Sequence, residues 1–313
     1  MQRVSAIVPC YNEEENVIPF YESISKVFKE LSEYELEIVY VNDGSSDNTL
    51  ENLKKIVNVA ECGIKVVSFS RNFGKESAMY AGFKNCTGDM AVVIDADLQQ
   101  DPVLIKDMLN ILKNDPDCDS VAYFQKNRSE SALLKFLKKG FYSLINRMSE
   151  VKFVNGASDF RIFRRNVIES ILMLSEKNRF SKGIFSWVGF NTKYLPYEAK
   201  ERTHGKSKWN FFKLLKYAIS GIVSFSTAPL KIATYLGTFF SFASVVYLII
   251  IVLQYILNDI AIPGYATIVC LILLLGGIQL FCIGIIGEYL EKTYIETKSR
   301  PVYIVKNIYT NEK

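Results

Sequence analysis

The chain has 313 residues, a net charge of +4 and 49% hydrophobic residues, so it can hold one sizeable domain and a smaller segment. The small positive charge does not favour nucleic acid as a partner, and it suits an anionic membrane because the basic residues gather beside long apolar stretches. The six cysteines are scattered and form no CxxC pair, which predicts neither a disulfide framework nor a zinc site.

Residues 1–125 alternate short β-branched stretches with longer amphipathic ones. The predicted strands are 4–8, 37–41, 66–69, 90–94 and 120–124, and the predicted helices are 14–31, 48–59, 75–85 and 102–112. Alternation of this kind predicts an α/β fold, in which helices cover both faces of a mostly parallel sheet. In such sheets ligands bind outside the carboxyl ends of the strands.

Polar loops follow the first four predicted strands. They are residues 9–13 (PCYNE), 42–45 (NDGS), 70–75 (SRNFGK) and 95–99 (DADLQ). Because these loops all lie at carboxyl ends of strands, we expect them to converge on one edge of the sheet and to form the binding site there.

Asp95 and Asp97 carry the sharpest chemical signal, because they end the apolar stretch 91–94. Two carboxylates separated by one residue at a sheet edge suit Mg²⁺ or Mn²⁺, and such a cation stabilises a departing pyrophosphate as a Lewis acid. An Asp-x-Asp pair alone is common, and helix capping or simple solvation is its alternative explanation. Asp101, before Pro102, is predicted to cap a helix.

A basic stretch leads into residues 209–230, where apolar residues recur at helical spacing between positions 211 and 223. The uncharged part, 217–230, is too short to cross a bilayer and suits a helix lying in the membrane interface. An ordinary amphipathic core helix is the alternative.

Two longer uncharged stretches follow, 232–258 and 260–287, and each exceeds the roughly 20 residues that a transmembrane helix needs. They predict a hairpin over residues 231–287, with spans at 232–257 and 266–286. Glycines such as Gly276 and Gly277 in the second span leave a homo-oligomer open.

Lysines lie on both sides of this hairpin, and its connector has none. By the positive-inside rule, both termini are predicted on the cytoplasmic side of the plasma membrane. The start of the chain is too short an apolar stretch for a signal peptide. Residues 1–208 are therefore predicted to be a cytoplasmic domain, and residues 288–313 a cytoplasmic tail.

Several ordered motifs together resemble one family. Residues 8–14 (VPCYNEE), 41–45 (VNDGS), 71–75 (RNFGK), 95–99 (DADLQ) and 287–289 (GEY) carry the resemblance, with the two spans. The chain resembles the inverting glycosyltransferases of family 2 with the GT-A fold, and within them the polyprenyl-phosphate group of bactoprenol glucosyltransferases and dolichyl-phosphate mannose synthases.

The resemblance implies a metal-dependent enzyme that uses Mg²⁺ or Mn²⁺. It implies transfer of a sugar, with glucose from UDP-glucose as first choice, to undecaprenyl phosphate or another polyprenyl phosphate for cell-envelope glycosylation. UDP-N-acetylglucosamine, UDP-galactose and GDP-mannose remain open as donors. A non-catalytic membrane scaffold for the export of lipid-linked sugars is the alternative of another class.

The resemblance also implies site residues. The nucleotide-sugar pocket is Pro9, Tyr11, Glu13, Asp43, Arg71, Lys75 and Asp95; the metal shell is Asp95, Asp97 and Gln99; the acceptor and diphosphate contacts are Arg128, Arg202, Ser207 and Lys208. The last three residues belong to a stretch whose alternative is a solvated basic linker before the membrane.

Asp159 matches the catalytic acidic residue of the family, and Asp97 is counted as catalytic with it. A phosphate ester with a second pKa of about 6 is already largely dianionic at neutral pH, whereas an Asp with a pKa of about 3.9 is a weak base. We therefore expect Asp159 to orient the acceptor or take a residual proton. A structural pairing of Asp159 with Arg161 or Arg164 is the alternative.

Overall fold

The computed structural model describes residues 1–125, 156–197, 223–257 and 264–311, together with residues 146, 151 and 154. The strands are β1 Gln2–Cys10, β2 Tyr34–Asn42, β3 Gly63–Phe69, β4 Met90–Val93, β5 Ser120–Gln125, β6 Ala157–Arg164, β7 Thr192–Tyr197 and β8 Val305–Thr310. The helices are α1 Val17–Lys29, α2 Thr49–Val59, α3 Lys75–Asn85, α4 Ile105–Asn114, α5 Arg165–Met173, α6 Ser181–Trp187, α7 Ala228–Leu257 and α8 Tyr265–Thr297.

The eight strands form one sheet in the order β7-β5-β6-β4-β1-β2-β3-β8. Strand β1 is parallel to both of its neighbours, β2 and β4, and the β2–β3 and β5–β7 pairs are also parallel. The three remaining pairs, β4–β6, β5–β6 and β3–β8, are antiparallel. The predicted α/β class with a mostly parallel sheet is confirmed.

Helices cover both faces of this sheet, because successive residues of a buried strand point to opposite sides. Along β1, Ala6 and Val8 join the core under α1, α2 and α4, which includes Phe20. Ile7 points to the other core, under α3, α5 and α6, which includes Phe83. The central strands therefore read as continuous apolar stretches rather than alternating ones.

The loops after β1, β2 and β3 pack against one another, as the sequence predicts. The backbone N–H of Asp43 donates to the carbonyl of Cys10 over 2.9 Å, and the N–H of Ser46 donates to Oδ1 of Asn12 over 2.9 Å. Gly44 has a φ of +63°, and a Cβ there would stand 2.4 Å from the carbonyl carbon of Arg71. Only glycine fits this close approach between the second and third loops.

Helices α7 and α8 contain two stretches long and apolar enough to cross a membrane, Ala228–Tyr247 and Leu271–Thr297. Large apolar side chains on both helices are exposed, among them Phe239 at 65% and Leu273 at 70%. Residues 209–222 of the predicted interfacial helix lie outside the described part of the chain, and from Ala228 onward the chain is already in α7.

The segment after the hairpin differs from the predicted tail. Helix α8 continues to Thr297, and β8 then pairs antiparallel with β3, with Ile308 opposite Val67. The Tyr303 ring stacks on Phe69 with 4.8 Å between the ring centroids. The chain therefore returns from the hairpin to the main sheet and supplies its edge strand.

Candidate active site

Asp95 and Asp159 face one another across two neighbouring strands. Strands β4 and β6 are antiparallel with Val93 opposite Arg161, and continuing that register by two residues sets Asp95 opposite Asp159. Lys75, the first residue of α3, lies between the two carboxylates. Its Nζ is 2.7 Å from Asp95 Oδ1, 2.9 Å from Asp95 Oδ2 and 3.2 Å from Asp159 Oδ2.

The charges of this cluster stabilise one another. Burial alone lowers the pKa of Lys75, but the carboxylates of Asp95 and Asp159 outweigh it and raise that pKa above its ordinary value. Burial alone raises the pKa of Asp159, but Lys75 and then Lys182 outweigh it and hold that pKa below its ordinary value. Asp159 is therefore an ionised carboxylate at neutral pH and a weak base.

The turn after β4 carries the residues predicted to hold a metal. Asp97 Oδ1 accepts a hydrogen bond of 3.2 Å from the backbone N–H of Gln99, and Leu98 between them has a φ of +56°. A positive φ is uncommon for a residue other than glycine. It is found at ligand-binding turns, where the surrounding structure must hold the strained backbone in place.

The donor atoms of this turn fit a divalent cation that shares its ligands with a substrate. Asp95, Asp97 and Gln99 supply hard oxygen atoms, and Mg²⁺ is commonly bound by one or two carboxylates together with substrate phosphates. In the part of the chain that the structure describes, no three acidic, histidine or cysteine side chains cluster into a protein-only cage.

Gln100 links the two halves of the site, and the sequence analysis did not assign it a role. Its side chain is buried, its Oε1 accepts from the N–H of Asp95 over 3.2 Å, and its Nε2 donates to Ser158 Oγ over 3.2 Å. It therefore ties the backbone at Asp95 to the residue before Asp159. A polar amide directly after an acidic turn was the only sequence signal for this role.

Asp43 holds the third loop in place. The residue is 3% exposed, and its carboxylate accepts hydrogen bonds from the N–H groups of Phe73, over 2.6 Å, and Gly74, over 2.9 Å. Burial raises the pKa of Asp43, against the effect of these two donors. The resemblance implied that Asp43 belongs to the nucleotide-sugar pocket. In the structure its carboxylate has backbone partners that fix the start of α3 and thereby the position of Lys75.

The other predicted pocket residues lie at the same edge. Pro9 is the penultimate residue of β1, opposite Val41, and Tyr11 after it is 39% exposed. The carboxylate of Glu13 accepts from Asn16 Nδ2 over 2.6 Å. The guanidinium of Arg71 lies 4.7 Å from the centre of the Phe73 ring.

Glu76, which the sequence analysis also passed over, joins α3 to α6. Its Oε2 accepts a hydrogen bond of 2.9 Å from the N–H of Ser181 and a second one from the Ser181 hydroxyl. Burial, with the neighbouring charge of Asp159, raises the pKa of Glu76 to about 7. Helix α6 begins at Ser181 and carries Lys182, so this contact sets the position of a second cation near Asp159.

The structure separates the remaining predictions into two groups. Arg128, Arg202, Ser207 and Lys208 lie outside the described residues. Asp159 forms an ion pair with Lys75, and the nearby charge of Arg161 also helps to lower the pKa of Asp159. Arg164 instead donates to the carbonyls of Leu112 and Cys118, over 2.6 and 2.9 Å. The predicted cap is confirmed, since Asp101 Oδ1 accepts from the N–H of Val103 over 3.0 Å.

Two family profiles match the chain over separate segments. Residues 5–172 match "Glycosyl transferase family 2", and residues 228–292 match "GtrB C-terminal hairpin". The first segment runs from within β1 to the end of β6 and into α5, and includes both Asp95 and Asp159. The second contains α7 and most of α8.

Curated relatives match over nearly the whole chain. The prophage bactoprenol glucosyl transferase homolog of Escherichia coli (strain K12) is 42% identical over 307 residues, which is 98% of this chain and 99% of the relative. The bactoprenol glucosyl transferase of Shigella phage SfX is 42% identical over 306 residues, 97% of this chain and 99% of the relative.

Solved structures are more distant. The mannosyl-3-phosphoglycerate synthase from Rubrobacter xylanophilus has a TM-score of 0.48 and 17% identity, covering 71% of this chain and 72% of its own. A mannosyltransferase from Pyrobaculum calidifontis, solved with GDP-Man and Mn²⁺, has a TM-score of 0.42 and 15% identity, covering 92% of this chain and 87% of its own.

Proposed function

Because the chain belongs to glycosyl transferase family 2 and carries a C-terminal hairpin of the GtrB type, we propose that it glucosylates a polyprenyl phosphate. UDP-glucose is the donor and undecaprenyl phosphate the acceptor, which are the expectations of the sequence analysis. Relatives named bactoprenol glucosyl transferases, similar from end to end, support the pairing of glucose with a polyprenyl carrier.

One observation carries the proposal: Asp95 and Asp159 meet at the carboxyl edge of the sheet, joined by the ammonium of Lys75. The first carboxylate belongs to the turn that suits a cation and a diphosphate. The second lies on the neighbouring strand and stays ionised because of Lys75 and Lys182. Donor and acceptor groups thus have adjacent sites on one GT-A sheet.

The donor side of the site consists of Asp95, Asp97 and Gln99, which would hold Mg²⁺ or Mn²⁺. A bound cation supplies Lewis-acid stabilisation of the charge on the leaving diphosphate. Tyr11 and Arg71 follow β1 and β3 at the same edge of the sheet and would contact the nucleotide.

The reaction is a single displacement at the anomeric carbon. An oxygen of the lipid phosphate forms the new bond to that carbon, the bond from the carbon to the diphosphate oxygen breaks, and UDP leaves with the electron pair. The configuration inverts. No proton has to be removed from a dianionic phosphate, whose second pKa is about 6, so Asp159 orients the acceptor and is not needed as a strong base.

The membrane supplies the acceptor. The exposed apolar faces of α7 and α8 suit a bilayer, and the lysines that flank the hairpin suit its cytoplasmic surface. A polyprenyl phosphate stays in the head-group layer, so a catalytic sheet tied to the hairpin meets its acceptor there. The product is a lipid-linked glucose for cell-envelope glycosylation.

The test uses the full chain in detergent with undecaprenyl phosphate, Mn²⁺ and each donor in turn: UDP-glucose, UDP-N-acetylglucosamine, UDP-galactose and GDP-mannose. Nucleotide release and the mass of the lipid product are measured. We expect the fastest release with UDP-glucose, and a loss of about a hundredfold in Asp159→Asn, because misplacing a reacting group by about 1 Å can cost that much.

Asp117→Asn is the matched control, because Asp117 is an exposed acid in the turn after α4. A faster reaction with another donor would change the assigned sugar. Absence of release with every donor would reject transfer and favour the scaffold alternative.

A further inference from the structure

The ammonium of Lys75 contacts both carboxylate oxygens of Asp95. Its Nζ is 2.7 Å from Oδ1 and 2.9 Å from Oδ2, so the ammonium straddles the carboxylate instead of touching one edge of it. The third contact, 3.2 Å to Asp159 Oδ2, holds the ammonium in the middle of the site.

A divalent cation needs the same oxygens. Mg²⁺ binds carboxylate oxygens at about 2.0–2.1 Å, so a cation on Asp95 would stand directly against the ammonium of Lys75. Two positive groups on one carboxylate repel each other, and an anion that binds to both of them offsets this repulsion. A diphosphate is such an anion, because it can ligate the cation and accept hydrogen bonds from an ammonium.

The ammonium of Lys75 can leave Asp95 without a movement of α3. Its side chain is 42% exposed, and a lysine stem is long and flexible. The backbone before it is fixed, since Asp43 accepts from the N–H groups of Phe73 and Gly74. Asp159 remains as a second partner when Asp95 is released. Movement is thus confined to the stem and the ammonium.

We propose that Lys75 occupies the position of the cation on Asp95 until the donor binds, so that cation and donor bind cooperatively. The inference rests on the proposed function, because it assumes a diphosphate donor that shares the cation with Asp95 and Asp97. It assigns Lys75 a role before the reaction, in addition to the donor contact implied by the family resemblance. The enzyme consequently binds cation weakly when alone and tightly with donor.

The experiment measures Mn²⁺ binding rather than turnover. The full chain in detergent is titrated with Mn²⁺, and free Mn²⁺ is read by electron paramagnetic resonance, with and without saturating UDP. We expect Lys75→Gln to bind Mn²⁺ at least about tenfold more tightly than the wild type without UDP, a difference of about 1.4 kcal/mol. We expect UDP to tighten Mn²⁺ binding by a larger factor in the wild type than in this variant.

Lys84→Gln is the matched control, because Lys84 is an exposed lysine on the same helix and the charge change is equal. Lys75→Met keeps the aliphatic stem without the charge and should reproduce the result of Lys75→Gln. Thermal melting confirms that each variant is folded.

Equal Mn²⁺ affinities in the wild type and both Lys75 variants, without UDP, would overturn the inference. Tighter Mn²⁺ binding in the Lys75 variants, tightened further by UDP in the wild type, of a protein that transfers no glucose would reject glucose as the sugar and would still support the exchange of Lys75 for the cation. Glucose transfer with unchanged Mn²⁺ affinity would reject the inference alone.

Discussion

The carboxylate of Asp43 acts on the site through the backbone. It accepts two N–H groups from the loop that leads to Lys75, while its burial raises its pKa. A residue of this kind sets the geometry of another residue, which differs from the direct nucleotide contact that the resemblance implied. Its loss should thus affect folding as well as turnover.

Asp43→Asn tests this positioning role. An amide offers one acceptor oxygen where the carboxylate offers two, so one of the N–H groups of Phe73 and Gly74 meets a donor. Leaving a buried donor unsatisfied costs about 1–3 kcal/mol. We expect a lower midpoint of thermal unfolding and a slower release of nucleotide than in the control variant Asp117→Asn. An unchanged midpoint would show that Asp43 does not support this loop.

Glu76 gives the fold a pH dependence of predictable sign. Its pKa is raised from 4.5 to about 7 in the folded protein, chiefly by burial. The folded state therefore keeps the proton between these pH values while the unfolded state loses it. The favourable contribution of the protonated group is complete below pH 4.5 and is lost as the pH rises to about 7.

Glu76→Gln should remove this dependence, because the amide imitates the protonated acid and still accepts from Ser181. We expect the variant to be more stable than the wild type at pH 8, by about 1–3 kcal/mol, and similar to it at pH 4.5. Thermal midpoints at the two pH values measure the difference. The same difference at both values would contradict the assigned burial of a charge.

Only some of the residues of the site could be predicted from the sequence. Asp95 stands out because an apolar strand ends in it, and Asp159 was found by family resemblance alone. The role of Gln100 depends on Ser158, 58 positions along the chain, and the bridge made by Lys75 depends on the register of two strands. Contacts of this kind exist only in the folded chain, so no local pattern reports them.

At the scale of elements, the loops after β2 and β3 approach each other so closely at Gly44 that no side chain fits there. We expect Gly44→Ala to destabilise the protein by at least about 1 kcal/mol, because its φ of +63° is unfavourable for alanine and the new Cβ meets the backbone of Arg71. Thermal melting measures the loss, and donor affinity should fall with it.

Gly63→Ala is the control for this variant, because nothing lies within 4 Å of a Cβ at Gly63 and the residue starts β3 in extended backbone. Equal stability of the two alanine variants would show that the two loops tolerate a wider separation.

The edge strand β8 is fixed at its far end by Asn311. The side chain accepts from the N–H of Ile64 over 2.6 Å and donates to the carbonyl of Cys62 over 2.8 Å. Asn311→Ala leaves a backbone donor at the start of β3 without its partner. We expect faster proteolysis at the C-terminal end of the chain and a cost of about 1–3 kcal/mol in local stability. Unchanged proteolysis would indicate that the ladder alone holds β8.

The elements were predictable to different degrees for physical reasons. The buried strands β1 to β4 are apolar on both faces and are bounded by turn residues, so the sequence reveals them. Strand β8 is largely exposed and reads VKNIYT, a pattern with two polar residues side by side. Its state depends on pairing with β3, more than 200 positions earlier in the chain, and was therefore missed.

At the scale of the whole molecule, the catalytic sheet and the hairpin are joined at several points. Lys177 Nζ donates to the carbonyls of Ile295 and Glu296, over 3.1 and 2.6 Å, at the end of α8. Before α7, the Phe225 ring packs against Phe180 of the sheet domain, with 6.0 Å between the ring centroids. The sheet is also paired with β8 directly after α8, so the orientation of the site follows that of the hairpin.

The anomeric configuration of the product tests the account most directly. UDP-glucose carries its glucose in α linkage, and a direct attack by the lipid phosphate at the site of Asp95 and Asp159 inverts that configuration. We predict a β-linked glucosyl phosphate lipid, identified by nuclear magnetic resonance of the extracted product, with about a hundredfold less formed by Asp159→Asn in the same time. An α-linked product would contradict the account, since it requires a double displacement or another site.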